Sequence, residues 1–484
     1  MLLDLLAPLA LASAPAAAAT VTPDQLRRHI DVLAGDSFEG REPGTRGEKR
    51  TTDYIVERYR SAGLEPGGEQ GGWLQRVDLV IRTPSQARSR WRGRGDGFGL
   101  GRDQIVLVGR DKDVRIEGAP VVFAGHGTPE SIGRADLRGA VVLIHYSAPD
   151  VPGFPAFADR AKTVAAAGAA AVLAIMDDEI PWAAVENSYE HGRSGLQADP
   201  VAPVEGAIAE AAAERLLRAA GSDKEALNRR RPTGPPLRLD LRATLDVTSD
   251  VKRISSHNVI GRLRGSGETG ESLLFLAHWD HLGLCRPPAH KDRVCNGAVD
   301  NASGVAVMLE VARALAAGPR PARDILFLAT TAEEMGLLGA YHFAASPAVK
   351  LESIVAAINL DTVAIAPRGQ KVAVLGRGVR TLDAVVERTV AEAGRALDTD
   401  READAFLERQ DGWAFARAGV PALMVGGSFS DMKQLGGFMS ERYHQPEDNP
   451  DRQLILGGAA EDAELLILLG RKLTDPAVYS NPRR

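Results

Sequence analysis

The chain has 484 residues, too many for one simple hydrophobic core, so we expect two or three domains. Its composition is that of a globular protein, with 44% apolar and 25% charged residues. The net charge of −6 gives no reason to expect nucleic acid binding, and the short basic run at residues 88–94 predicts a solvated loop.

Residues 1–19 form an apolar stretch that ends in Ala-x-Ala-like positions, a pattern typical of a secretory signal peptide. Two features depart from that pattern: Asp4 lies near its start, and no Lys or Arg precedes Arg27. The alternative is an Ala-rich tail. No other segment has the roughly 18 consecutive apolar residues that a membrane span needs. We therefore expect an exported protein, periplasmic or secreted, without a membrane span.

Two helices are predicted between residues 22 and 64, joined by a loop that contains Gly and Pro. Each predicted helix begins with Thr and has Gln or Glu three residues later, which is the spacing of a capping box. The two pairs are Thr22 with Gln25, and Thr45 with Glu48. A strand pattern follows at residues 73–81, where apolar and polar residues alternate.

The composition shifts to Arg, Gly and Ser over residues 83–102, and we place a domain boundary there, after a first part of the main domain at residues 20–90. Residues 105–245 have a rhythm of their own and predict a smaller inserted domain rich in strands. Its predicted elements are strands at 119–124, 140–145, 168–175 and 237–247 and a helix at 157–167. This segment has no cluster of His and carboxylates, so we expect a separable domain without catalytic groups.

Strands and helices alternate regularly from residue 256 onward, within a second part of the main domain at residues 246–484. The predicted strands are 258–263, 273–277, 325–330, 354–360, 372–375 and 421–425, and the predicted helices are 303–317, 381–393 and 459–473. This rhythm predicts an α/β fold, a mixed and mostly parallel sheet sandwiched by helices. Such sheets place their sites beyond the carboxyl ends of the strands.

Side chains that can bind metals or move protons occur in short motifs of this domain: His278, Asp280, Asp300, Glu333, Glu334, Asp361 and His444. Five of them form a mixed set of His and carboxylate that suits a pair of zinc ions. The other two carboxylates, Asp280 and Glu333, suit the proton transfers that such a pair needs when it activates water. Each motif alone is more often structural. Their joint order, with several members just past predicted strand ends, favours a metal site.

These motifs together resemble the aminopeptidase S and aminopeptidase Y family of two-zinc metallopeptidases. The resemblance rests on AHWDHLG, GAVDNASGVA, TTAEEMGLLGA, INLD and YHQPED, and it covers about residues 256–475. The stretch FEGREPGTRGEKRTTDYIVERYRSAGLEP resembles the N-terminal helices of the family. Residues 105–245 resemble the protease-associated domain that many members carry inserted before the core.

The resemblance implies two zinc ions per chain and a role for each of eight residues. His278 and Asp361 would bind one zinc ion, Glu334 and His444 the other, and Asp300 would bridge them, while Glu333 would be the general base, Asp280 would orient His278, and Tyr443 would help to hold the oxyanion. The resemblance also implies a cis peptide bond between Asp300 and Asn301.

The sequence departs from the family pattern at two places near this set. Thr362 follows INLD where the family often has Met, and Gly412 stands where many relatives have His. Neither change removes a ligand. Three histidines have no matched role, and we expect them to be structural or surface residues: His281, His290 and His342.

The chain has two cysteines, Cys285 and Cys295, both between the first predicted ligand and the bridging Asp300. In an exported protein, two thiols ten positions apart can close a disulfide. The alternative is two free thiols. A zinc role is less favoured, because the set of His and carboxylate ligands is already complete.

Four functions are open at this stage. The first is an exported aminopeptidase that releases the N-terminal amino acid of peptide substrates. The second is a carboxypeptidase that removes acidic C-terminal residues and shares the zinc core. A glutaminyl cyclase with one zinc ion and a binding protein that has lost catalysis are the others. The complete ligand set argues against both, and an intact Glu333 argues further against the binding protein.

Overall fold

The computed structural model describes residues 20–133, 135–151, 153–222, 235–267, 269–450 and 454–483. The predicted signal peptide at residues 1–19 lies outside the described residues. The chain divides into two compact units, one formed by Met1–Val77 with Ser255–Arg484 and the other by Asp78–Ile254. In the described part of the chain, no helix has both the length and the apolar character needed to cross a membrane.

The first unit is built on a sheet whose centre is parallel. Strand Ser272–His278 pairs in parallel with Asp324–Thr330 and with Ile354–Asn359, and the latter pairs in parallel with Ala422–Gly426. Antiparallel strands flank this centre: Ala373–Leu375, the last part of Leu237–Leu263, and Glu65–Pro66. The central strands are almost wholly buried, as expected for parallel strands covered on both faces. The predicted α/β class is confirmed.

Helices cover both faces of this sheet. Leu273 and Phe275 belong to one hydrophobic core and Leu274 and Leu276 to another, because successive side chains of a strand point to opposite faces. Helices that contribute to the first core are Pro23–Leu33, Arg46–Ser61, Ser303–Ala316, Arg380–Glu392, Met432–Glu441 and Leu456–Leu473. Helices that contribute to the second are Leu338–Ala345 and Gly412–Arg417. Short 3-10 helices occur at Asp36–Arg41, Glu69–Gly71, Leu351–Ser353, Glu402–Arg409 and Ser428–Ser430, and a π-helical turn at Ala298–Ala302.

The two predicted helix starts differ in outcome. Thr22 and Gln25 form the predicted capping box, since each side chain accepts a hydrogen bond from the other's backbone N–H. The second capping box is absent. The side chain of Thr45 accepts from the backbone N–H of Gly47 instead. The carboxylate of Glu48 is engaged elsewhere, because it accepts from the backbone of Gly44 and contacts His257 Nδ1 at 2.9 Å.

The second unit, Asp78–Ile254, has its own set of paired strands and its own hydrophobic cores. Four neighbouring strands run parallel, in the order Asp113–Phe123, Val141–His145, Ala171–Met176 and Val204–Ala209. Antiparallel partners are Ile105–Gly109, the first part of Leu237–Leu263, and Arg193–Leu196 with part of Leu74–Arg92. The helices are Pro129–Ile132, Phe157–Ala166, Trp182–Glu190 and Glu210–Ala219.

The Arg-rich segment near the start of the second unit differs from its prediction. Strand Leu74–Arg92 runs through most of it, so residues 88–92 form no loop. Arg90 and Arg92 are exposed while Trp91 between them is fully buried. The basic side chains thus occupy the solvated face of a strand, a pattern that charge alone does not distinguish from a loop. The second unit also begins earlier, at Asp78, than the composition shift indicated.

Candidate metal centre

Parallel strands bring the predicted residues of the first unit to one edge of its sheet. His278 is the last residue of strand Ser272–His278, and Asp361 follows strand Ile354–Asn359 by two residues. Glu333 and Glu334 follow the strand that ends at Thr330. Because these three strands pair in parallel, their carboxyl ends meet, as expected for a site in an α/β sheet.

One group of possible ligands surrounds Nε2 of His278. This nitrogen lies 3.3 Å from Asp300 Oδ1, 3.7 Å from Asp361 Oδ1 and 4.0 Å from Glu333 Oε2. The other ring nitrogen, Nδ1, lies 3.2 Å from the backbone oxygen of Asp280. A carbonyl oxygen only accepts hydrogen bonds, so Nδ1 is the donor and Nε2 is left to face the carboxylates.

A second group surrounds Glu334. His444 Nε2 lies 2.9 Å from Glu334 Oε2 and 3.4 Å from Asp300 Oδ2. Asp300 therefore turns one oxygen toward His278 and the other toward His444. A carboxylate in this position can bridge two metal ions, one in each group.

The backbone around Asp300 is fixed by a buried carboxylate. Asp448 is fully buried and accepts hydrogen bonds from the backbone N–H groups of Val299 and Asp300. The peptide bond between Asp300 and Asn301 is cis, as the resemblance implies. The side chain of Asn301 donates to the carbonyl of Leu360, next to Asp361. The bridging position and the Asp361 segment are therefore held against each other.

Asp280 contacts the site differently from the expectation. Its carboxylate lies 3.9 Å from Nδ1 of His278, beyond hydrogen-bonding distance. It accepts instead from the backbone N–H groups of Glu333, at 3.1 Å, and Glu334, at 3.4 Å. The side chain of Asp280 thus positions the Glu-Glu segment, while its backbone oxygen orients His278.

Tyr443 lies at the edge of the centre. Its ring stacks on that of His444 with 3.7 Å between centroids, and it lines a small cavity together with Asp300, Glu333 and Asp361. Burial raises the pKa of the Tyr443 hydroxyl, so it stays protonated and able to donate a hydrogen bond. The remaining wall of the cavity is mostly apolar: Phe406, Met424, Phe429, Leu435 and Met439, with Thr362, Arg409 and Gln410.

Burial shifts the acidity of this cluster strongly. It raises the pKa of Glu333 well above its usual range and that of Asp280 to about 7. For His444, burial lowers the pKa, but hydrogen bonds to Asp300 and Glu334 outweigh it, and the pKa rises to about 9. Burial disfavours the ionised form of the Glu333 and Asp280 carboxyls, which raises their pKa. The carboxylates beside His444 stabilise its protonated form, which raises its pKa as well.

The donor set fits divalent metal ions. Ligand atoms of His278, Asp300 and Asp361 lie within 4.8 Å of one another, and so do those of His281, Asp300 and Glu334. Imidazole nitrogen and carboxylate oxygen in sets that share one carboxylate are typical of paired metal sites.

Comparison with known proteins agrees with this geometry. Residues 258–467 match the family model described as Peptidase family M28. We call this matched region the M28 domain. This result agrees with the predicted resemblance to aminopeptidases S and Y.

The M28 domain has relatives among curated proteins and solved structures. The chain is 30% identical to the glutamate carboxypeptidase 2 homolog of Caenorhabditis elegans over 201 residues, which covers 39% of this chain and 23% of that protein. It is 23% identical to the probable lipoprotein aminopeptidase LpqL of Mycobacterium tuberculosis over 467 residues, which covers 89% of this chain and 81% of that protein. The aminopeptidase from Aneurinibacillus sp. strain AM-1 shares its fold, with a TM-score of 0.51, 20% identity and 93% of each chain covered. The family match and the peptidase relatives point to a metal-dependent peptidase.

His281 is a residue of the M28 domain that the sequence prediction left without a role. Its side chain is fully buried, and Nδ1 lies 2.6 Å from Glu334 Oε1. His281 is therefore not a surface residue, and its contact with Glu334 links it to the site, as its position inside the AHWDHLG motif could have indicated. His290 is exposed and His342 half-buried. Neither belongs to the groups of possible metal ligands found among the described residues.

Arg41 is a second residue without a predicted role. It is fully buried and donates hydrogen bonds to the backbone carbonyls of Leu33, Trp279, Asn296 and Gly297. Burial lowers the pKa of Arg41 to about 10, against the opposing attraction of nearby carboxylates. One buried cation therefore joins the turn after His278 to the segment before Asp300.

The two departures from the family pattern also have defined places in the M28 domain. Thr362 has a positive φ of 53° and donates through its hydroxyl to Asp361 Oδ1 at 3.0 Å. Gly412 begins helix Gly412–Arg417 and donates its backbone N–H to the side chain of Gln410. Asp411, which lies between Gln410 and Gly412 in the sequence, is buried and accepts a hydrogen bond from the hydroxyl of Thr330.

The predicted disulfide between Cys285 and Cys295 is confirmed, with an S–S distance of 2.02 Å. It lies in the segment that joins His281 to the bridging Asp300. The backbone N–H of Cys295 donates to the carbonyl of Gly283, and Cys295 is fully buried.

Proposed function

We propose that the chain is an exported di-zinc aminopeptidase that hydrolyses the N-terminal peptide bond of peptides. The observation that carries the proposal is the position of Asp300, whose two carboxylate oxygens face two separate groups of His and carboxylate. The long match to a probable lipoprotein aminopeptidase supports both the aminopeptidase activity and the export. The disulfide fits an oxidising compartment.

In this proposal His278 and Asp361 hold one zinc ion, and Glu334 and His444 hold the other, with Asp300 between them. Zinc bound there would polarise the peptide carbonyl and lower the pKa of a water molecule. Imidazole and carboxylate are ligands that zinc takes readily.

Glu333 is the proposed general base. It lines the cavity, and its Oε2 lies 4.0 Å from Nε2 of His278, farther than the oxygens of Asp300 and Asp361. Burial raises its pKa well above the usual range, the direction required of a carboxylate that takes a proton from water and passes it to the leaving amine. Asp280 holds the backbone of Glu333 in place, and the hydroxyl of Tyr443 faces the developing oxyanion in this proposal.

A panel of substrates tests the class of activity. Aminoacyl chromogenic substrates, matched N-blocked substrates and peptides that end in glutamate would be compared on one zinc-loaded sample. We expect release only from substrates with a free N-terminus. Cleavage of the N-blocked, C-terminal glutamate peptides would overturn the aminopeptidase assignment.

A carboxypeptidase is the second candidate, and one observation favours it. Arg409 lines the cavity beside Glu333 and Asp361, where a guanidinium could receive a substrate carboxylate. The match to a glutamate carboxypeptidase 2 homolog agrees with such an activity, although it spans 23% of that protein. The substrate panel separates the two candidates directly.

We further propose that the second unit, Asp78–Ile254, is a protease-associated domain without catalytic groups. Its own cores support an independent fold. The groups of possible metal ligands found among the described residues lie in the M28 domain. Deleting the unit should leave zinc binding intact and change which peptides are cleaved. Loss of zinc from a folded deletion variant would contradict this.

A further inference from the structure

Glu334 is held by two histidines, one on each carboxylate oxygen. His444 Nε2 lies 2.9 Å from Oε2, and His281 Nδ1 lies 2.6 Å from Oε1. The two histidines differ in exposure, because the His281 side chain is fully buried and that of His444 is 34% exposed. The resemblance assigned a function to His444 and none to His281.

We infer that His281 is a positioning residue that occupies Oε1 of Glu334 and leaves Oε2 as the oxygen offered to the second metal ion. This inference rests on the proposed two-zinc site. An ionised carboxylate only accepts hydrogen bonds, so Nδ1 of His281 is the donor in the 2.6 Å contact. An oxygen that accepts such a short bond is a poorer metal ligand than Oε2, whose contact with His444 is longer, and Glu334 then binds the metal ion through one oxygen.

The surroundings of His281 fix its ring in the orientation that this role needs. A Cβ atom at Gly297 would lie 2.6 Å from Cγ and 2.7 Å from Cδ2 of the ring, so a glycine is required there for the ring to fit. Gly297 also has a φ of 57°, which glycine adopts readily. Arg41 accepts from the backbone N–H of His281 through its carbonyl and donates its guanidinium to the carbonyl of Gly297. The ring of His281 therefore packs directly against Gly297, just before the turn that contains Asp300.

Direct ligation by His281 is the competing arrangement. Nδ1 of His281 lies 3.9 Å from Asp300 Oδ2, whereas Nε2 of His444 lies 3.4 Å from the same oxygen. The contacts of His281 with Asp300 and Glu334 both use Nδ1, which already lies 2.6 Å from Glu334 Oε1. His444 is better placed between the two carboxylates, which favours a ligand role for His444 and a supporting role for His281.

Two amide substitutions of equal polarity distinguish these roles. The amide of Asn lies near the position of Nδ1, so His281→Asn can still donate to Glu334. The amide of Gln lies near the position of Nε2, so His281→Gln loses that bond. Zinc affinity would be measured by competition with a chromophoric chelator on metal-free protein, with thermal unfolding of the same samples. His342→Gln is the control for the loss of a histidine outside the centre.

We expect His281→Gln to weaken binding of one of the two zinc ions by about 10–100-fold, and His281→Asn to stay close to wild type. Cobalt loaded into the site should show a changed visible absorption in the Gln variant, since the ligand field at the second ion changes. A purely structural role would make His281→Asn and His281→Gln lose zinc affinity alike. Equal zinc affinity in wild type and His281→Gln would overturn the inference, and so would equal weakening by His281→Asn and His281→Gln. A wild-type protein that binds no more than one zinc ion would instead contradict the proposed function.

Discussion

The two halves of the candidate metal centre are built in different ways. His278 and Asp361 come from the carboxyl ends of neighbouring parallel strands, and the His278 side chain is 2% exposed. His444 comes from the loop that follows helix Met432–Glu441, and its side chain is 34% exposed. The strand-built half is thus set by the sheet, whereas the loop-built half depends on side-chain contacts.

The loop-built half and the bridging Asp300 have supporting contacts from side chains of other segments. His281 holds Glu334, Asp448 holds the backbone of Asp300, and Tyr443 stacks on His444. A ligand placed by a strand needs few such supports because the sheet register fixes it. We therefore expect changes in these supporting residues to act mainly on the metal site of Glu334 and His444.

The largest expected effect is the loss of activity when Glu333 or Glu334 is replaced. These neighbours have different proposed roles, Glu333 as general base and Glu334 as metal ligand. Glu333→Gln keeps the shape but cannot accept a proton, so kcat should fall by about 10²–10⁴-fold while two zinc ions remain. Glu334→Ala should lose metal and activity together. Metal analysis and kinetics on the same purified samples give the result. Loss of metal from Glu333→Gln, or a near-normal kcat, would refute the assignment.

The next prediction compares the two ligand histidines in the metal-free protein. His278→Ala leaves the buried carboxylate of Asp300 and the partly buried carboxylate of Asp361 without their cationic partner, which should cost about 3–5 kcal/mol of unfolding free energy. His444→Ala removes a partly exposed contact and should cost about 1 kcal/mol. Urea denaturation measures both values. Equal destabilisation would show that the two halves are not built differently.

The sequence predicted the strand-built half better than the loop-built half. Apolar runs that stop at His278 and before Asp361 identify both the strands and the residues at their ends, because the fold places them together. The role of His281 needed the three-dimensional distance to Glu334. The role of Arg41 was also missed, since a buried arginine that donates to four carbonyls has the same local pattern as one on the surface.

Elements with a strong period were also predicted better than short ones. Helices Ser303–Ala316 and Leu456–Leu473 matched their predictions closely. Helices Leu338–Ala345 and Gly412–Arg417 were missed because each has about two turns or fewer and is fixed by packing in the second core. The Arg-rich stretch was predicted as a loop, but it continues a strand. Apolar and polar residues alternate around Trp91 over too few positions to indicate a strand reliably.

The disulfide provides a third test, because it restrains the segment that leads to the bridging Asp300. The double substitution of Cys285 and Cys295 by Ser should lower the unfolding free energy by about 2–3 kcal/mol, the entropic gain expected for a closed loop of this length. The kcat of the folded variant should change little, since neither sulfur faces the cavity. Denaturant unfolding with and without a thiol reductant measures the effect. An unchanged stability in the variant would argue against a restraining role.

The smallest expected effect on activity comes from replacing Thr362. This residue departs from the family pattern and supports Asp361 on the strand-built half. Its hydroxyl donates to Asp361 Oδ1 at 3.0 Å. Thr362→Val keeps the branched shape at a φ of 53° and removes only the hydrogen bond. One hydrogen bond contributes about 0.5–1.5 kcal/mol, so kcat/KM should fall by about 2–10-fold with zinc content unchanged. Thr362→Ser keeps the hydroxyl and should retain most of the activity. If kcat/KM fell equally in Thr362→Val and Thr362→Ser, the hydrogen bond of the hydroxyl would not be the cause. If Thr362→Val also released zinc, the strand-built half would depend on side-chain support as much as the loop-built half does.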